Sequence, residues 1–334
     1  VTINEKALKE LKAERMLPGP GVCRLVHVKG TLTVTSPLHI GGSDDADFGE
    51  KDAKGKQRDN FRRVLREAPS SGVPNAKDLP VIAPTSVKGV VRAWCEGMLG
   101  VYEAASDGRL GLSSINGEQR YLKKPEGEDE EVMADPGEAE KDKGDLKEAE
   151  GLRTALDLVS GIFGMTRWRG KVEFSGGGLS EKSREKGAPG LTATVPRVAI
   201  DAYLGAAEDS KLFNIEYVKP GAVFEVELRA HNLQDWELGL LFHALESFNH
   251  PHFPTRLGGL TQQGYGQVRW KPTETFVLGY DGADVLSEWM SAVKVEKPGS
   301  SVDAGPAKAK VEAWKKAFSE RWGALLAADP SGGE

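Results

Sequence analysis

Apolar residues in this chain change their spacing in a set order, and that order limits the folds open to it. Val22, Leu25, Val26, Val28, Leu32 and Val34 mix alternation with short apolar pairs. The pattern reads as a strand, with Gly30 marking a bulge or bend. "PVIAPTSVKGVVRAWCEGMLG" then gives a short strand, a Ser/Thr capping region and a helix with Val87, Val90, Val91 and Trp94 on its apolar side. A helix around Leu152–Ile162 and a strand in "RWRGKVEFSG" follow. From Leu191 to Asn232 the period is two again, with Phe224, Val226 and Leu228 alternating with Glu225 and Glu227. Leu238, Leu241, Leu245 and Phe248 then stand at helical spacing, and the Gly-rich loop "TRLGGLTQQGYG" leads into the strand "QVRW". The ordered parts run β, α, β, a β-rich stretch, α, β. The expected fold class is α+β, with a ferredoxin-like (split βαβ) core sheet of the kind RNA-recognition modules also use.

Long polar segments interrupt this order. They divide the chain into a core over residues 1–270, with inserted loops, and an extension over 271–334. Residues 43–79 form a flexible basic loop and residues 101–151 an acidic insertion. Gly176–Gly190 reads as a flexible arm or hairpin tip. At the N-terminus, Asn4 to Met16 reads as a short helix capped by Asn4, with Leu8 and Leu11 on one side. In the extension, Val311, Trp314, Phe318, Trp322 and Leu325 form the apolar stripe of an amphipathic helix suited to core packing or a subunit contact.

The net charge of −6 is unevenly spread. Between Pro125 and Glu150 twelve acidic residues face Lys141, Lys143 and Lys147, a local balance of −9 that leaves the remaining chain at +3. A mildly basic body with one acidic excursion is compatible with a nucleic-acid partner. Cys23 and Cys95 are the only cysteines, too few for a disulfide framework or a four-thiolate zinc site. With no apolar run long enough for a membrane helix and no signal-like N-terminus, a cytoplasmic location is expected.

Several constellations could carry chemistry. Ser86, Lys88 and Arg92 stand at the opening of a helix, where free N–H groups and two cations four residues apart suit phosphate; an ordinary capped helix has the same pattern. The loop with Gly258, Gly259, Gly264 and Gly266 lacks the Lys-Ser/Thr of a nucleotide-hydrolysing loop and precedes no helix. It could track a sugar–phosphate backbone, or be a tight turn. Lys51 to Arg66 holds seven cations, among them Arg58, Arg62 and Arg63. Arg167, Arg169 and Lys171 surround Trp168, an interleaving that suits single strands, although a solvated surface also accounts for such runs. His250-Pro251-His252 has no neighbouring ligand partner and points only weakly to a metal. Asp44, Asp45, Asp47, Asp52 and Asp59 crowd the loop after "HIGG", where an Asp could assist RNA cleavage or merely cap turns.

Five segments, in order across residues 36–270, resemble the RAMP superfamily of CRISPR proteins, specifically its backbone subunits. They are "SPLHIGG", "PVIAPTSVKGVVRA", "IFGMTRWRGKVEFS", "PRVAIDAYLGAAEDSKLFNIEYVKPGAVFEVEL" and "LGGLTQQGYGQVRW". The N-terminal helix, the acidic insertion and the region after Trp270 lie outside the likeness. The resemblance implies an RNA-recognition-type core elaborated into palm, thumb and fingers, with the thumb falling within residues 176–213. Copies would stack along a guide RNA, with Ser86, Lys88, Arg92, Arg58, Arg62, Arg63, Arg167, Arg169, Gly258, Gly259, Gln262, Gln263 and Tyr265 on the RNA. Implied partners are guide RNA, target nucleic acid paired to it, further copies of the chain and other CRISPR effector subunits, without a cofactor and without a membrane. Two variants are open. One is a non-catalytic, type IV-like backbone subunit. The other is a type III-like subunit that cleaves target RNA through Asp59 with a divalent metal such as Mg2+. A guide-processing endonuclease is a third reading, disfavoured because no His is well placed beside the Gly-rich loop.

Overall fold

A computed structural model describes residues 3–16, 23–41, 61–62, 64–66, 79–104, 111–113, 156–165, 169–200, 207–279, 287–288 and 304–327. The acidic run and Arg58, Asp59, Arg63, Arg167 and Trp168 lie outside the described residues. In the central sheet, β1 (Leu25–Val34) lies between β6 (Val223–His231) and β7 (Val268–Leu278), and β3 (Val172–Leu179) pairs with β6. Every pairing is antiparallel and the spatial order is β3-β6-β1-β7. With α2 (Pro84–Ala104) between β1 and β3, and α6 (Asp235–Glu246) between β6 and β7, the core reads βαββαβ. This is the ferredoxin-like arrangement expected from the order of periods.

Alternation decides which face of the sheet is covered. Val26, Val28, Leu32 and Val34 of β1 are buried with Phe224, Val226 and Leu228 of β6. Beside them, α2 packs Val87, Val91, Cys95 and Leu99, one residue per turn, into the same core. Gly30 does mark an irregularity: the β1–β7 register shifts between Lys29 and Gly30. Its missing side chain is filled by Trp270, whose Cη2 would lie 2.2 Å from a Cβ placed there. The helix α6 is buried on nearly every side. Its Gly239 lets α7 (Ala304–Leu326) approach, because a Cβ at that position would lie 2.2 Å from the Trp314 carbonyl oxygen.

Between β3 and β6 the chain makes α4 (Glu181–Arg184), α5 (Gly187–Leu191) and the hairpin of β4 (Thr192–Ile200) with β5 (Ala207–Val218). The short β2 (Phe61–Arg62) adds to β5 in parallel, giving a second sheet of order β2-β5-β4. Part of the expected basic loop is therefore strand, and Val64 beside it is buried.

The expected arm at Gly176–Gly190 is corrected: residues 176–179 are the end of β3, followed by α4 and α5. The glycines serve close approach. Gly177 has φ +93°, its carbonyl accepts the Ile82 N–H at 2.9 Å, and a Cβ there would collide with the Ile82 carbonyl. The boundary drawn after Trp270 falls inside β7, and α7 packs along α6 with Trp314 and Leu325 buried. The apolar stripe of α7 thus packs into the core. The N-terminal helix α1 (Glu5–Ala13) keeps the expected cap, Asn4 accepting the Ala7 N–H at 3.0 Å with Leu8 and Leu11 buried, but it ends at Ala13 and not at Met16. Among the described residues no helix is long and apolar enough to cross a membrane.

Candidate nucleic-acid interface

The Gly-rich loop is latched onto the chain that leaves β1. The Gly259 N–H donates to the His39 carbonyl at 2.8 Å, Gly266 N–H to the Pro37 carbonyl at 2.8 Å, and Leu257 N–H to the Gly266 carbonyl at 2.8 Å. Gly258 lies so close to this latch that a Cβ would sit 2.3 Å from the His39 oxygen, and its φ of +83° favours glycine independently. Leu260 takes a left-handed conformation at φ 59°, which turns the chain into a short 3-10 segment, Thr261–Gln263. From within, the Arg256 guanidinium donates to the Thr261 and Tyr265 carbonyls, both at 3.3 Å. Gln262 and Gln263 are left exposed at the tip.

Beneath the loop lies the second sheet. His39 is buried and donates from Nδ1 to the Glu216 carbonyl at 2.7 Å. The Glu216 carboxylate is buried too; it pairs with Arg66 and accepts the Val64 N–H at 3.2 Å. Tyr265 turns inward, its ring meeting Tyr217 edge-on with centroids 5.9 Å apart. Arg197 on β4 holds its guanidinium 5.7 Å from the Tyr265 ring centre and donates to the hydroxyl at 3.1 Å. Arg197 Nε finds no hydrogen-bond partner, and among the described residues Arg197 makes no ion pair. Loop, β1 exit and hairpin are thus held as one rigid junction with a cation at its base.

The helix α2 differs in detail from its expected role. It starts at Pro84, the favoured first position for proline, so Ser86 lies inside the first turn, its N–H donating to the Ala83 carbonyl at 2.9 Å. Lys88 is one turn in. Burial pulls its ammonium below the ordinary lysine range, neighbouring Arg92 adds to the fall, and Glu173 opposes it. Arg92 sits about 12 Å along the helix from its start. Its Nε donates to Glu96 and its Nη1 to the Gly164 carbonyl, both at 2.7 Å, so it ties α2 to the end of α3 (Leu158–Phe163).

Of the other expected residues, Arg62 lies on β2 and Arg169 is exposed just before β3. Lys171, grouped in sequence with Arg169, is fully buried on Glu237, both contacts at 3.2 Å. Arg15 lies 3.5 Å from the same carboxylate; burial lowers its pKa, while Glu237 and then Asp157 oppose the fall. This cluster fastens α1 and β3 to α6 and faces no solvent. Gly258, Gly259, Gln262, Gln263 and Tyr265 do come together, but Lys88 and Arg92 belong to the opposite edge of the sheet, where α2 meets β3.

The uncovered face of the sheet was the natural platform for RNA bases, and it is poorly suited to that use. Lys29 pairs with Glu274 at 3.3 Å, Arg229 with Glu227 at 3.4 Å, and His27 lies 3.2 Å from Glu227. Register places Glu173, Glu225 and Thr31 on the same face, and among the described strand residues Phe276 is its one Phe, Tyr or Trp. Single strands bind by stacking on aromatics, and this mosaic offers few.

Sequence reasoning missed His39, Arg197 and Arg256. His39 also corrects one exclusion, because a His does stand beside the Gly-rich loop. It is buried and donated to a backbone carbonyl, which makes it a pin between two sheets. The signal for it lay in "SPLHIGG", where the strand ends against the loop. The family profile of the RAMP superfamily matches residues 31–269. A comparison with curated proteins gives no match.

Proposed function

Because the chain belongs to the RAMP superfamily, whose membership implies a CRISPR-associated RNA-binding role, we propose that it is a guide-RNA-binding backbone subunit. In this reading several copies line one RNA and, with other CRISPR effector subunits, form a ribonucleoprotein whose free guide bases pair with target nucleic acid. The thumb, read over residues 176–213, would take in the end of β3, α4, α5, β4 and the start of β5. The role requires no cofactor, since the protein binds and spaces the RNA and recognition comes from base pairing.

The observation that carries the proposal is the junction of loop and hairpin. A backbone turn held by two hydrogen bonds to the β1 exit and one across its own ends presents Gln262 and Gln263 to solvent, with Arg197 at its base lacking a carboxylate partner among the described residues. Exposed amide side chains on a rigid turn and an unneutralised cation suit a sugar–phosphate backbone.

The test is anisotropy of a fluorescein-labelled guide-like RNA titrated at several salt concentrations. Arg197→Ala should weaken binding and reduce the slope of log K against log salt by about 0.7, one phosphate on a single strand. Sedimentation of complexes on RNAs of increasing length should show more copies on longer RNA. An unchanged slope removes Arg197 from the RNA path, and one copy per RNA at every length overturns the backbone role.

A further inference from the structure

Beyond the Gly-rich loop, the outer edge of the core sheet carries an exposed aromatic group that the backbone-subunit reading does not use. Phe253 is 84% exposed, more than Val101 at 70% or Met98 at 54% among the described residues. Its ring is gathered with two others. His250 and Phe253 have centroids 5.7 Å apart, His250 and His252 6.3 Å, and His252 and Phe253 6.5 Å.

The group is set in place by the chain itself. His250 Nδ1 accepts the His252 and Phe253 backbone N–H groups at 3.2 and 2.9 Å, curling the turn around one ring. Asn249 then fixes the turn to the sheet: its Nδ2 donates to the Trp270 carbonyl at 2.8 Å and its Oδ1 accepts the Trp270 N–H at 3.0 Å. An amide side chain thus takes the place of a fifth strand beside edge strand β7, which fixes the backbone of the turn that carries the rings.

Trp270 is flanked by Arg269 and Lys271. Both are exposed and, by register with Thr33 and Thr31, project to the uncovered face. Two residues apart on one strand, they stand roughly 7 Å from each other. Elsewhere on that face Lys29 and Arg229 are paired with carboxylates, but among the described residues Arg269 and Lys271 have no ion-pair partner.

We propose that this edge is a second contact for single-stranded RNA, with an unpaired base stacking on Phe253 and the flanking histidines while Arg269 and Lys271 hold neighbouring phosphates. Uncompensated positive charge beside exposed rings is the combination single strands favour. The inference rests on the RNA-binding reading above and places the strand past the Gly-rich loop along β7.

The experiment uses the full chain and a fluorescein-labelled single-stranded RNA of about 24 nucleotides. Phe253→Ala should weaken binding about 5- to 150-fold, the range for loss of one stacked base, with an unchanged salt slope. Phe253→Tyr, which keeps the ring, should restore affinity to within about twofold of the parent. Arg269→Ala with Lys271→Ala should instead lower the slope by about 1.4. Phe253→Ala binding within about twofold of the parent overturns the inference and leaves the proposed function standing. So does a variant with intact single-copy affinity but fewer copies per RNA, which would make the edge a contact between copies. A parent chain that binds no RNA overturns both readings.

Discussion

Gly258→Ala tests whether the latch of the Gly-rich loop is what presents it to RNA. Two costs add at this position. A left-handed φ costs an L-residue roughly 1–2 kcal/mol. The new Cβ also lies 2.3 Å from the His39 carbonyl oxygen, and that oxygen cannot retreat freely, because the His39 ring is hydrogen-bonded to the Glu216 carbonyl at 2.7 Å. Overpacking against fixed backbone costs about 1–3 kcal/mol. The sum, about 2–5 kcal/mol, exceeds the roughly 0.5–1.5 kcal/mol that one latching hydrogen bond contributes. The loop should therefore release from His39 rather than stay strained, while the sheet beneath keeps its core.

Hydrogen–deuterium exchange reads this directly. At 1.36 kcal/mol per decade, a loss of about 2 kcal/mol speeds exchange at Gly259 and Gly266 by roughly 30-fold. Protection of β1 and β6 should stay near the parent value. RNA affinity measured in parallel should fall by at least about tenfold, because the released loop must be reordered on binding. Parent-like exchange in the loop would refute the steric argument. Fast exchange with parent-like affinity would refute the claim that a preformed loop is needed.

The buried charge cluster gives a prediction about stability alone. Glu237→Gln should cost about 3–5 kcal/mol in denaturant unfolding, because Arg15 and Lys171 lose the carboxylate they share, and Arg15→Met, Lys171→Met and Glu237→Met together should recover much of it. A loss under about 1 kcal/mol would show that the cluster is solvated in the native state. Lys88 gives a pH dependence. Its pKa is lowered by burial and by Arg92, so in the free protein the charged form is disfavoured and proton loss starts below the ordinary lysine range. If phosphate binds there it favours the protonated form, so RNA affinity should fall as pH rises through that range and Lys88→Arg should flatten the fall. Identical pH profiles for the two proteins would remove Lys88 from the RNA path.

How much could be read from sequence depended on whether a residue's neighbours were near in the chain. The alternation of Phe224, Val226 and Leu228 and the helical spacing of Leu238, Leu241 and Leu245 are local, and both elements form as expected. The glycines of Gly176–Leu179 resembled a flexible arm because their reason lies 95 residues away in the chain, at the Ile82 carbonyl that Gly177 admits. Lys171 resembled a surface cation for the same kind of reason, since its partner Glu237 is reached only when β3 and α6 pack together. Arg197 could not be connected to Tyr265 without the hairpin that carries it across the loop.

Sheet topology alone suggests the uncovered face as an RNA platform, but the charges on that face are already paired with one another. A ferredoxin-like sheet offers its uncovered face to RNA when aromatics stand at the centre of that face. Here β1 and β6 place Lys29, Glu227 and Arg229 there, and their mutual pairing with Glu274 and His27 consumes the charge. Cations without carboxylate partners among the described residues stand instead at the margins, Arg197 under the Gly-rich loop and Arg269 and Lys271 on edge strand β7. Attraction to phosphate comes from charge that is not already neutralised. A strand drawn to these margins would run along the rim from the loop toward Phe253, with one base stacked there and the others left free over the rim.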